Sequence, residues 1–164
     1  MPLSNSRAVR KQLDHSIHFD GRFGAVYFIT ICCEQRGHNE LCLPSVAGAL
    51  FETATIYHRS QRWHVEVFLL MPDHLHALIG FQPDRESLSN VIRSFKRITT
   101  KTAPVHWQRG FFDHRLRNDE SMSQKADYIV HNPVRAGLSE SPGYWKYLIT
   151  RESIENSSLA PPGD

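Results

Sequence analysis

The chain has 164 residues, 40% hydrophobic and 22% charged, with a formal net charge of +2. A packed core is available to it and global disorder is excluded. No apolar run approaches the roughly 18 residues that span a bilayer, and no apolar block follows the basic residues near the N-terminus, so neither a membrane anchor nor a secretory leader is expected.

Residues 1–22 are polar and mixed and read as an N-terminal arm. "GAVYFITICC" (24–33) is β-branched and aromatic and reads as a strand buried on both faces. Cys32, Cys33 and Cys42 form no disulfide framework, so the expected setting is the reducing cytoplasm. A zinc site with His38 is conceivable. The spacing lacks paired CxxC knuckles, and core thiols are the favoured reading. "PSVAGALFETATIYHRS" carries apolar residues at helical spacing (Ala47, Leu50, Phe51, Ala54, Tyr57), with Pro44 placed to start a helix. "RWHVEVFLLM" and "DHLHALIGF" read as two strands of a hairpin broken at Pro72.

"SLSNVIRSFKRITTKTA" is the clearest helix. Leu88, Val91, Ile92, Phe95 and Ile98 form one stripe, and Arg93, Lys96, Arg97 and Lys101 another. "GFFDHRLRN" reads as a short strand. "SMSQKADYIVHNP" opens with a possible capping box, Ser121 with Gln124, and is expected to stop at Pro133. "GYWKYLIT" is a last strand or an ordered turn, and residues 151–164 read as a flexible tail. The main domain is therefore expected over 23–150.

Charge is uneven along this order. Residues 85–117 hold eight Lys/Arg against two acids, Glu86 and Asp113. Such a concentration favours a polyanionic partner, although a solvated basic face also explains it. The order strand, helix, strand, strand, helix, strand predicts an α+β, ferredoxin-like (RRM-like) antiparallel sheet with an added C-terminal helix.

Two features carry chemistry. In a strand, residues i and i+2 share a face, so His74 and His76 point together while Leu75, Ala77 and Ile79 point into the core. Two imidazoles about 7 Å apart along a strand can close on one metal ion with a third ligand. Alternatively they are a hydrogen-bonded surface pair. The second feature is "ADYIVHNPVRAGL" (126–138), where Tyr128 lies four residues before Asn132. If the helix persists the two share a face. Pro133 disfavours helical geometry at Asn132, which then caps the end with its amide oxygen open to a cation. Tyr128 reads equally as a core aromatic.

"YFITIC", "MPDHLHALI", "WQRGFFDHRLR" and "DYIVHNPVRAGL", in that order, resemble the single-tyrosine HUH transposases of the insertion-sequence-200 type. Within that group the chain looks most like the REP-associated tyrosine transposases. The resemblance implies a nucleophilic tyrosine, Tyr128, and a divalent metal, Mg or Mn, held by His74, His76 and Asn132. It implies cleavage and rejoining of single-stranded DNA near a REP-like hairpin through a 5′-phosphotyrosine intermediate, by a monomer or homodimer. Arg93, Lys96, Arg97, Lys101, Arg115 and Arg117 are the expected DNA contacts, with Trp107, Phe111 and Phe112 available for stacking. Asp73 departs from the pattern, which has asparagine there, and puts the loop geometry in question. Two rival readings are a non-catalytic RRM-like nucleic-acid-binding module and a metal phosphodiesterase that uses water.

Overall fold

The computed structural model describes residues 24–117 and 121–157. Its first strand, β1 (Ala25–Cys32), alternates strictly. Ala25, Tyr27, Ile29 and Ile31 are buried, whereas Val26, Phe28, Thr30 and Cys32 are half-covered. The expected burial on both faces is therefore corrected. The second face carries its own thinner layer, and the apolar run did not reveal how partial that cover is. Gly24, just ahead of β1, has φ +90, and a Cβ there would meet the Phe81 carbonyl oxygen, so only glycine lets the strand start so close to its neighbour.

Helix α1 (Pro44–Arg59) begins at Pro44 as expected. Strands β2 (His64–Met71) and β3 (His74–Phe81) form a hairpin closed by Pro72 and Asp73, with Met71 opposite His74. Helix α2 (Leu88–Thr102) is capped by Ser87, whose hydroxyl accepts the Asn90 N–H, and it buries Val91, Ile92, Phe95 and Thr99. Strand β4 (Phe112–Arg115) follows. The sheet order is β4-β1-β3-β2, every pair antiparallel, which is the ferredoxin-like arrangement read from the sequence. A fifth strand, β5 (Leu148–Thr150), adds to the outer edge of β2.

The sheet lies between two apolar layers. On one side α1 and α2 cover Ile29, Ile31, Leu75, Ala77 and Ile79, all 0% exposed. Each large aliphatic side chain buried there contributes about 1.5–3 kcal/mol. On the other side helix α3 (Met122–Val130) lies over Val67, Leu69, Met71 and Leu78 and seats Ile129 among them.

Two expectations change at the C-terminal end. The helical path does not stop at Pro133: after a break at His131, a further turn, α4 (Asn132–Arg135), has the proline among its first residues, where α4 itself needs no N–H. Gly137, at φ +71, ends that turn, with its N–H bonded to the Val134 carbonyl and Leu138 N–H to Pro133. Residues 151–157 are not a loose tail but helix α5 (Arg151–Ser157), pinned by buried Ile154 and by the ion pair of Arg151 with Glu66 at 3.4 Å. One buried residue in a polar seven-residue stretch leaves little periodic signal to read. The expected arm at 1–22 and the last residues of the tail lie outside the described residues.

Candidate active site

The hairpin turn is built around Asp73. Its carboxylate accepts the Gly37 N–H at 2.8 Å and pairs with Arg36 at 3.4 Å, and its carbonyl accepts the Cys33 N–H. These bonds tie the turn to the loop after β1. Burial works to raise the Asp73 carboxyl pKa, but the Gly37 N–H, His74 and Arg36 together hold it below the usual carboxylate range. The side chain at this position therefore organises the loop.

His74 and His76 point to the α3 side of the sheet, their ring centroids 4.8 Å apart. Both Nδ1 atoms are engaged. His74 Nδ1–H donates to Asp73 Oδ1 at 2.6 Å, and His76 Nδ1 lies 2.8 Å from Thr30 Oγ1 across the β1–β3 pairing. In the tautomer in which His76 Nδ1–H donates to Thr30, the Nε2 atoms of both rings carry the free lone pairs. That is the orientation in which carboxylate and hydroxyl partners hold metal-ligating imidazoles. Burial, with the nearby positive charges of His74, Arg135 and Arg36, depresses the His76 pKa to about 3, so the ring is neutral at ordinary pH. An oriented imidazole pair with free Nε2 lone pairs fits a divalent cation.

Tyr128 is 52% exposed and projects from α3 beside this pair. The Phe28 ring joins the two: its centroid is 5.4 Å from His76 and 6.3 Å from Tyr128. Of the other tyrosines, Tyr27 and Tyr57 are buried, at 1% and 3% exposed, and Tyr147 packs on Trp145. Tyr144 is exposed on the 3₁₀ turn Pro142–Tyr144.

The sequence "NPVR" explains the local shape. Pro133 has no N–H to give the Ile129 carbonyl, so that oxygen loses its regular helical donor. Asn132 Nδ2 supplies one instead, at 3.2 Å, and reaches Tyr128 O at 3.4 Å. Arg135 folds back over α3, and its Nη2 donates to Tyr128 O at 2.5 Å. Its guanidinium carbon sits 4.2 Å from the Tyr128 ring centroid. With its nitrogen turned to the helix, Asn132 keeps its amide oxygen as the group able to meet a cation. Among the described residues no cluster of three or more His, Cys, Asp or Glu can hold a metal. Cys33 and Cys42 are buried and their thiols are pushed up to about 12, mainly by burial, which fits core thiols.

The expected DNA-contacting residues divide. Arg93, Arg97 and Lys101 are exposed and line a groove of about 850 Å³ between α2 and the 105–111 loop, joined there by Arg109. This groove lies on the opposite side of the sheet from the histidines. Lys96 borders it but turns inward, donating to the carbonyls of Gln108 (2.9 Å) and Gly110, and burial lowers its amine pKa. Its position argues for clamping the loop. Arg115 sits opposite Tyr27, on the helix-covered side, and Arg117 follows it beyond the strand. Trp107 is a core residue bonded to Thr99, and Phe111 is half-buried against the same core. Phe112 alone of the three is exposed, at 52%, in one cross-strand row with Thr30 and His76.

Sequence reasoning missed Thr30, Phe28 and Arg135. The first two come to the histidines only through strand register. Arg135 stood inside a quoted motif, seven residues from the tyrosine, with nothing local to say that the chain folds back.

No family model matches the chain. It is similar to a Haemophilus influenzae protein assigned as a REP-associated tyrosine transposase, 25% identical over 142 residues, covering 76% of this chain and 78% of the relative. It is similar to a REP-associated tyrosine transposase of Escherichia coli (strain K12), 24% identical over 91 residues, covering 54% and 55%. A solved structure of a REP-associated tyrosine transposase bound to a REP hairpin matches with a TM-score of 0.67 at 20% identity, covering 94% of this chain and 93% of that one. That last likeness is one of fold.

Proposed function

We propose that this chain, which belongs with the REP-associated tyrosine transposases, cleaves and rejoins single-stranded DNA beside a hairpin through a phosphotyrosine intermediate. The observation that carries the reading is the pair of oriented imidazoles separated from an exposed tyrosine by one aromatic ring.

Tyr128 is the nucleophile in this reading. Its phenol has an unperturbed pKa near ~10 and attacks effectively only once its proton is released. The Tyr128 oxygen then forms a bond to phosphorus as the bond to the 3′ oxygen breaks. The 5′ phosphate stays on the tyrosine and the departing 3′ oxygen takes up a proton. The diester so formed keeps the bond energy, so a second 3′ hydroxyl reverses the step without ATP. His74, His76 and Asn132 are the residues that hold a divalent cation, Mg or Mn. The chemistry it supplies is charge beside the non-bridging oxygens of the scissile phosphate.

The α2 groove supports a second part of the reading. Arg93, Arg97 and Lys101 face phosphates there, with about 10 Å of sheet, two strand spacings, between Phe112 on the β4 edge and His76. A single strand rounding that edge reaches the histidines from the groove. Both histidines and the tyrosine belong to one chain and one face, which supports action as a monomer.

The test is a hairpin oligonucleotide with a single-stranded flank, incubated with protein and Mg²⁺ or Mn²⁺ and resolved under denaturing conditions. A covalent adduct should appear with metal and vanish with chelator and in Tyr128→Phe. Mass spectrometry should place the nucleotide on the peptide around "ADYIVHNPVR". A nucleotide on another tyrosine, or an adduct surviving in Tyr128→Phe, overturns the assignment.

A further inference from the structure

Arg135 makes more contacts with Tyr128 than a helix cap requires. One guanidinium nitrogen bonds the Tyr128 carbonyl at 2.5 Å while the group as a whole lies 4.2 Å from the ring centroid. Capping alone does not call for it, because Asn132 already donates to that same carbonyl. Arg135 is otherwise exposed, forms no ion pair among the described residues, and has its charge close enough to act on His76.

We propose that Arg135 is a phosphate-binding residue of the cleavage reaction that also fixes the orientation of the Tyr128 ring; the proposal rests on the reading of Tyr128 as nucleophile. A guanidinium carries five N–H donors in a rigid plane. One is used on the Tyr128 carbonyl, and the others remain for an anion. Reacting atoms in a near-attack arrangement are about 3–3.5 Å apart. A phosphate poised on the Tyr128 hydroxyl is therefore within reach of a cation stacked on the same ring. As the phenolic oxygen closes on phosphorus, negative charge builds on the non-bridging oxygens. Arg135 meets that charge from the tyrosine side, opposite the histidine pair. The bond to the carbonyl anchors the guanidinium in advance, so little reorganisation accompanies the reaction. Lysine cannot replace it, having neither the planar fork nor the stacking face.

The experiment compares single-turnover adduct formation on the hairpin oligonucleotide for the parent, Arg135→Ala, Arg135→Lys and Tyr128→Phe. Hairpin affinity and melting midpoint are measured on the same samples. Loss of one positioned donor to a developing oxyanion typically costs about 100-fold or more in rate. Arg135→Ala should slow adduct formation by about that factor, with hairpin affinity and melting midpoint nearly unchanged. Millimolar guanidinium should restore part of the Arg135→Ala rate and none of the Tyr128→Phe rate. Arg135→Lys should stay close to Arg135→Ala. An Arg135→Ala variant that forms adduct at the parent rate overturns the proposal. So does a variant whose rate falls only in step with its melting midpoint and ignores guanidinium, since that is the behaviour of a cap. A parent that forms no Tyr128 adduct overturns the nucleophile reading itself, a result distinct from either of these.

Discussion

Replacing Ile129 by alanine tests how the candidate nucleophile is held. Ile129 is 0% exposed and is the one buried residue of α3, packed among Val67, Leu69, Met71, Leu78 and Leu116. A helix of nine residues does not persist alone in water, so α3 owes its order to this contact. Ile→Ala removes three carbon groups at about 0.8 kcal/mol each, roughly 2.4 kcal/mol before any cavity term, inside the observed range of about 2–5. At about 1.4 kcal/mol per factor of ten, the docking equilibrium of α3 shifts by about 50-fold. Hydrogen exchange should therefore speed up by about that factor in α3, and by much less in β1 and β3, whose other face is held by α1 and α2. Adduct formation should fall with the docked fraction. Ile129→Val, one carbon smaller, should give about a fourfold effect on the same scale. If α3 and β3 amides lose protection equally in Ile129→Ala, α3 does not open as a unit and the reasoning fails.

Chelator-washed His74→Ala and His76→Ala should each lose calorimetric metal binding while circular dichroism stays close to that of the parent, because both rings point away from the main core; parent-like metal binding in the double variant would remove the metal assignment. Arg97→Ala and Lys101→Ala should each reduce the slope of log affinity against log salt for single-stranded DNA by about 0.7. Lys96→Ala should instead lower the melting midpoint, because its amine holds the Gln108 and Gly110 carbonyls; the opposite pattern would return Lys96 to the DNA-contacting set. Without metal, stability should fall as pH is lowered from 6.5 toward 3. His76, with its folded pKa near 3, stays unprotonated while the unfolded chain takes up the proton, giving a slope of at most about 1.4 kcal/mol per pH unit. Urea midpoints of the parent and His76→Gln across this range should diverge at high pH and converge at low pH, and parallel curves would contradict the buried neutral ring.

The histidine half of the site was legible because strand periodicity is simple. Once Leu75, Ala77 and Ile79 are assigned to the core, His74 and His76 must share the other face, and the structure has them there. The sheet order was legible for the same reason, through alternation in the strands and a clear amphipathic stripe on α2. Partners set by register were hidden. Thr30 meets His76 only because residue 30 pairs with residue 76, and one step of slip would have brought a buried isoleucine there instead. The loop contact of Lys96 was hidden because a helical wheel shows which residues face outward but not which loop comes to meet them. Its stripe partners Arg93, Arg97 and Lys101 stayed exposed while it was captured by the 108–110 carbonyls.

The tyrosine half follows a different logic, in which one local fault generates the geometry. Proline at 133 deprives the Ile129 carbonyl of its regular donor, and a helix end left in that state so near a buried layer is costly. Asn132, just before the proline, resolves it by donating to the Ile129 carbonyl, while Arg135, just after, bonds the neighbouring Tyr128 carbonyl. Each bond also has a chemical consequence. Asn132 commits its nitrogen and so keeps its oxygen for a cation, while Arg135 commits one nitrogen and so brings its charge over the tyrosine ring. A regular helix through residues 128–135 would satisfy the carbonyls with backbone N–H groups and leave neither side chain any reason to fold back. The break that sequence reasoning took for the end of the helix is thus where the amide and the guanidinium come to the Tyr128 turn. Pro133→Ala should separate these roles: it restores the backbone donor to Ile129, leaves the fold stable, and loosens the Asn132 amide. Adduct formation should then slow while melting midpoint holds or rises. A variant that cleaves at the parent rate would show that the break shapes the helix without serving the reaction.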